Sequence, residues 1–145
     1  INLALLNAKE ANFLQKLEII ISDWGSEVPL SEVLSLIPEA NERVSFVHVP
    51  TEIAKKKQQD SKFPEVIALN AAARRAKGDY IGRIDNDTIV GKEFYTKFNN
   101  CIDNKDLMWR NKLLLLEENI TNKSLYETSI RFKIPKIKPI ALRQG

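Results

Sequence analysis

The sequence predicts an α/β domain with a mainly parallel open sheet and flanking helices, and three observations carry that prediction. Apolar, β-branched runs recur at residues 18–22, 44–49 and 80–84. Helix-like segments separate them. Two of the runs finish in aspartate, Asp23 after the first and Asp85 after the third. Runs that are apolar on both faces suit strands covered on both sides, as in a parallel sheet wound with helices.

Each element follows from its residues. Leu3, Leu6, Phe13, Leu14 and Leu17 are spaced as one face of a helix reaching about residue 17. Residues 18–22 form the first strand, and Asp23-Trp24-Gly25-Ser26 reads as the loop that ends it. Pro29 opens a short helix to about residue 36. Val44–Val49 is the second strand, closed by Pro50, and the Lys-rich residues 51–62 read as a surface loop with a helical turn. Pro64 and Gly78 bound a helix over residues 64–77. Its inward face carries Val66, Leu69, Ala73 and Ala76, with Asn70 bordering that face and Arg75 opposite. Residues 80–84 make the third strand, ending in Asp85-Asn86-Asp87. A further helix starts near Gly91 or Lys92 and carries Phe94, Tyr95 and Phe98. Beyond Asp103, residues 107–109 and 113–116 are apolar, and one strand is expected in one of them. Residues 129–145 hold Arg131, Lys133, Lys136, Lys138 and Arg143 with no acid, and Pro135 and Pro139 break any helix. This is expected to be a basic extended tail.

Composition narrows the chemistry. The chain has 145 residues, which suits a single domain with a real core. No apolar run approaches the roughly 20 residues of a membrane helix, so no transmembrane segment is expected. A lone Cys101 excludes an internal disulfide and a cysteine-cluster metal site. A lone His48 excludes two-histidine zinc chemistry and argues against a histidine triad. Any metal must therefore be a hard cation held by oxygen. A net charge of +3 is too mild to point to nucleic acid. Residues 1–17 are interrupted by Lys9, Glu10 and Lys16, unlike a signal peptide, and a cytoplasmic location is expected. With no opening Met and no leader, the chain reads as a piece of a longer protein, cut at both ends.

The acidic strand ends are the candidate site. Ligands of open parallel sheets bind beyond the carboxyl ends of the strands, so both acidic clusters should meet at one edge. Asp85 and Asp87, two residues apart in extended backbone, face the same side. Two such carboxylates repel unless a cation lies beside them, and a divalent metal completed by water and substrate phosphate resolves the conflict. The plainer alternative is a pair of loop aspartates shaping turns or capping the next helix.

As a set, these segments resemble a family 2-type glycosyltransferase of GT-A fold, the Rossmann-like architecture of nucleotide-diphospho-sugar transferases. Residues 18–26 (EIIISDWGS) resemble that family's second strand and acidic loop. Residues 70–79, with Ala76-Lys77-Gly78-Asp79, resemble the helix and turn before the metal strand. Residues 80–87 (YIGRIDND) resemble the strand carrying the DXD motif, and Phe94 resembles the aromatic position of the next helix. The resemblance spans residues 18–98. It implies transfer of a sugar from a UDP- or GDP-linked donor to a glycan, lipid or protein acceptor. It further implies that Asp23 hydrogen-bonds the nucleobase and that Asp85 sits near the ribose and metal. Asp87 would ligate a divalent cation, Mn²⁺ or Mg²⁺, that bridges the diphosphate. Asn70 would contact or brace the nucleotide, or else stand as a satisfied amide at the helix edge.

Two parts of the family pattern are unmatched. The family's first strand should precede residue 1, and the downstream acidic motif that supplies a catalytic base finds no counterpart. Glu117-Glu118 is given no role, and the catalytic base stays unassigned. Asp85-Asn86-Asp87-Thr88 also resembles the first motif of haloacid-dehalogenase phosphatases, with a nucleophilic first aspartate. That fold needs a later Lys and a further acidic pair, yet Asp106 is the last aspartate in the chain. A third reading is a non-catalytic domain of the same fold that binds a nucleotide or a partner.

Four single residues complete the list. Arg83 shares strand parity with Asp85 and is read as a phosphate contact, an ion pair steadying Asp85, or an exposed cation. Trp24 is read as a stacking platform or a loop anchor. His48 is expected to be a satisfied core or edge residue rather than a catalyst, and Cys101 a small apolar helix residue. Two glycosylation sequons, at Asn119 and Asn122, are read as chance matches.

Overall fold

In the computed structural model the described residues are 1–58, 61, 64–85, 88–101, 107–108 and 140–141. The fold is α/β and divides into two compact units. One holds residues 1, 3–15 and 86–145; the other holds residues 2 and 16–85.

The second unit is built on a two-stranded parallel sheet, β1 (Ile19–Trp24) beside β2 (Val44–Val49). The β-branched runs Ile19-Ile20-Ile21 and Val44 to Val49 favour extended backbone, and the expected parallel pairing is present. The register runs from Ile19 opposite Val44 to Trp24 opposite Val49. Backbone bonds extend it at both ends, from Ile19 N–H to the Arg43 carbonyl (2.7 Å) and from Gly25 N–H to the Val49 carbonyl (2.9 Å). The first strand is thus longer than expected. Asp23 and Trp24 lie within it rather than in the loop, because the ladder with β2 continues through both. Between the strands come α2 (Leu30–Val33), which starts after Pro29, and a 3₁₀ turn at Pro38–Ala40.

After β2 the chain enters α3 (Thr51–Lys57), a two-turn helix where a loop with one turn was expected. Pro50 at its N-cap and Lys55, Lys56 and Lys57 in its last turn favour it, since cations suit a helix C-terminus. Next is α4 (Glu65–Ala73), which lies against β1 as expected but ends four residues early. Its buried residue is Ala68, and Val66 and Leu69, expected inside, are exposed. Residues 65–73 are almost uniformly apolar, so periodicity does not single out one face; the close approach selects the small side chain.

Residues 80–85 are not a strand, which corrects the expectation for 80–84. Gly82 interrupts the run with no atom within 4 Å of where its Cβ would stand, and Ile81 is 67% exposed. Without a covered face, the apolar residues have nothing to hold them in a ladder. The sheet of this unit is therefore two strands wide among the described residues.

The first unit has an aromatic core. Here α1 (Asn2–Glu10) stops seven residues short of the expected boundary. Asn12 takes a left-handed φ of 54°. Asn12 N–H bonds the Lys9 carbonyl (3.0 Å) and Phe13 N–H the Ala8 carbonyl (2.8 Å), the paired bonds of a Schellman stop. A 3₁₀ turn, Leu14–Lys16, follows. The stop delivers Phe13 onto α5 (Lys92–Cys101), which starts where expected. Phe13 stacks on Tyr95 with ring centroids 5.6 Å apart and meets Phe98 edge-on at 5.8 Å. Leu5, Ala8, Val90 and Tyr95 are buried with it, and burial pushes the Tyr95 phenol pKa up. Asn7 Nδ2 donates to the Val90 carbonyl at 2.8 Å. A short antiparallel pair, β3 (Leu107–Met108) with β4 (Ile140–Ala141), also belongs here. It bears out a strand within residues 107–109 and gives the expected extended tail one paired segment.

Candidate functional site

The parallel register brings Asp23 and His48 side by side, both at the fifth position of six-residue strands. Directly paired residues point to the same face of a sheet, so the two side chains meet. His48 Nδ1 lies 2.9 Å from Asp23 Oδ2, and the same oxygen accepts the Leu30 N–H at 2.8 Å. That second bond satisfies the first amide of α2, a donor with no partner inside its own helix.

Asp23 is 1% exposed, whereas the His48 side chain keeps 29% of its surface. Burial alone would raise the Asp23 pKa. Hydrogen bonds from the Ser26 hydroxyl, the Leu30 amide and His48 outweigh that and hold the carboxyl below its ordinary value, and a protonated His48 would lower it further. The carboxylate is thus a buried anion. Among the described residues its other oxygen, Oδ1, has no hydrogen-bond partner, and neither have the buried Ser22 Oγ and Trp24 Nε1. Three orphaned polar atoms in consecutive residues mark this end of β1 as a place for polar chemistry.

The turn after β1 is tightly built. Gly25 has φ +80°, and Thr51 Oγ1 donates to its carbonyl at 3.1 Å. Trp24, half-buried within the strand, is an anchor whose ring nitrogen is unused.

Asp85 has a different setting. It is exposed, and Arg83 Nε donates to its Oδ1 at 2.8 Å. Arg83 also pairs with Glu65 in the first turn of α4. The ion pair steadying Asp85 is therefore the reading of Arg83 that the structure supports. The bond that Arg83 donates to Asp85 and the two negative charges raise the guanidinium pKa, which keeps Arg83 protonated. Asn70 is exposed on α4. Among the described residues, no hydrogen bond or ion pair joins Asp23, Asn70 and Asp85 to one another. Asn86 and Asp87, and the sequons, lie outside the described residues.

For a divalent metal the donor chemistry is suitable, since aspartate oxygens match a hard cation. Among the described residues no group of three or more His, Cys, Asp or Glu stands together to hold one. Of the expected pair Asp85 and Asp87, Asp85 is engaged by Arg83 and Asp87 lies outside the described residues. No helix among the described residues is long and apolar enough to cross a membrane.

His48 is a hydrogen-bonded strand residue, as expected; its partner, Asp23, was not foreseen. The signal available was positional: a histidine and an aspartate at equivalent places near the ends of two adjoining β-branched runs. Turning that into a contact requires the register, which the sequence does not state. Compared with known proteins, the chain matches no family model, no curated protein and no solved structure.

Proposed function

We propose that the chain is part of a metal-dependent glycosyltransferase that moves a sugar from a nucleoside-diphosphate donor to an acceptor. The observation that carries this reading is the buried, ionised Asp23 near the carboxyl end of a parallel strand pair, bonded to the partly exposed His48 beside it. Sheets of this kind bind nucleotides beyond that end. The resemblance of residues 18–26 and 80–87 to the donor-binding segments of family 2-type enzymes adds the reaction class. Asp23 and Asn70 serve the nucleotide end, and Asp85 with Asp87 the metal end. When bound, Mn²⁺ or Mg²⁺ supplies a Lewis acid for the charge on the leaving diphosphate. Arg83, freed from Asp85, becomes a cation beside the same charge. We assign no catalytic base.

The exposed setting of residues 81–85, outside any strand, favours a second reading. In that reading the domain binds a nucleotide without turning it over.

Thermal stability measured with Mn²⁺ or Mg²⁺, with UDP or GDP, and with both together tests the first step. The combination should stabilise more than the sum of its parts, because phosphates complete the metal's shell. Asp87→Asn should abolish that synergy and leave the unliganded melting temperature unchanged. A variant that keeps the synergy removes Asp87 from the site. Release of UDP from UDP-sugars then separates enzyme from binder.

A further inference from the structure

At the carboxyl end of the strand pair, a buried carboxylate holds an imidazole whose outer part reaches solvent. Asp23 is ionised and can only accept, so His48 Nδ1 carries the proton of their 2.9 Å bond. A neutral imidazole in that tautomer presents a lone pair at Nε2. Among the described residues Nε2 has no hydrogen-bond partner. The strand register and the Leu30 amide on the same carboxylate oxygen fix where Asp23 stands, and Asp23 in turn orients the ring. Asp23 itself, 1% exposed, is shut from solvent; His48, with 29% of its side chain exposed, is the member of the pair a ligand can touch.

We infer that His48 meets the nucleobase of the bound nucleotide through Nε2, as a hydrogen-bond acceptor, and that Asp23 is the positioning residue behind it. This rests on the nucleotide-binding reading above and adds to it a contact residue and a physical reason for the base preference. An acceptor here complements the ring N–H of uracil or guanine. Adenine and cytosine present a ring lone pair at the equivalent place, and two lone pairs repel. The site therefore selects UDP and GDP over ADP and CDP, by about tenfold for one such hydrogen bond.

The experiment titrates UDP, GDP, ADP and CDP with Mn²⁺ against the wild type, His48→Phe, His48→Gln and Asp23→Ala. His48→Phe keeps a flat ring and removes both nitrogens, and should erase the preference for UDP over ADP. His48→Gln brings an amide oxygen near the place of Nε2 and should restore part of it. Asp23→Ala, which leaves the ring unheld, should narrow the preference less than His48→Phe does. A second measurement needs no variant. His48 is the chain's single histidine, so its Cε1–H gives one imidazole resonance, and saturating UDP should shift it. An unchanged UDP-to-ADP ratio in His48→Phe, or an unmoved resonance in UDP-saturated protein, overturns the inference alone. A wild type that binds none of the four nucleotides overturns the nucleotide reading itself, and this inference with it.

Discussion

Gly25 and Ala54 approach so closely that a Cβ on Gly25 would lie 2.9 Å from the Cβ of Ala54. Gly25 also holds φ +80°, in the region that side chains disfavour. Two costs therefore fall on Gly25→Ala, a steric one and a conformational one. The variant should lose about 1–3 kcal/mol in denaturant titrations. Adding Ala54→Gly removes the steric part alone, so the double variant should unfold at a midpoint above that expected from summing the two single losses. Strict additivity would mean that the turn moves away from α3 at no cost.

The buried Asp23 carboxylate ties stability to acid. Its folded pKa lies below the ordinary aspartate value of 3.8, so the folded state binds protons less readily than the unfolded chain. The stabilisation is complete above 3.8 and is lost as pH falls through the lowered folded value. Asp23→Asn keeps the shape and removes the charge. It should lower stability at pH 7 by about 1–3 kcal/mol and flatten the acid limb of the stability curve. A pH series of thermal melts for both proteins checks the sign; an acid limb equally steep in the variant would assign it to other carboxylates.

In the first unit, the helix stop at Asn12 and the ring at Phe13 act together. Asn12→Gly suits the φ of 54° and should leave the melting temperature unchanged or raise it. Asn12→Ala should cost about 1 kcal/mol. Phe13→Ala opens a hole beside Tyr95 and should cost about 3–5 kcal/mol. Circular dichroism melts of the three variants test this order.

Arg83 is paired with Asp85, so it would compete with a metal for that carboxylate if the proposed site holds one. Arg83→Ala should leave the melting temperature unchanged, as an exposed ion pair adds little stability. The same variant should bind Mn²⁺ about three- to tenfold more tightly, because a like charge beside the cation is gone. A Mn²⁺ titration weaker than wild type would instead make Arg83 part of the binding site.

Some of this protein was legible without its structure, and the boundary has a physical cause. The β-branched runs at 19–22 and 44–49, the break at Pro50 and the start of α5 depend on residues next to one another. Local propensity therefore determined them. The pairing of Arg83 with Asp85 was legible for the same reason, since it spans two residues. Local pattern also called for a strand at 80–84 and an inward Val66, and both failed. Whether an apolar residue is buried depends on what the rest of the chain brings over it. The stop at Asn12 escaped notice because a leucine pattern continues past it, whereas the bonds that end the helix need a left-handed residue. Above all, the contact of Asp23 with His48 joins residues 25 apart, and only the parallel register decides it. A one-residue slip would turn His48 to the opposite face. Sequence determined which residues could carry charge and protons here; the register decided that these two would share one.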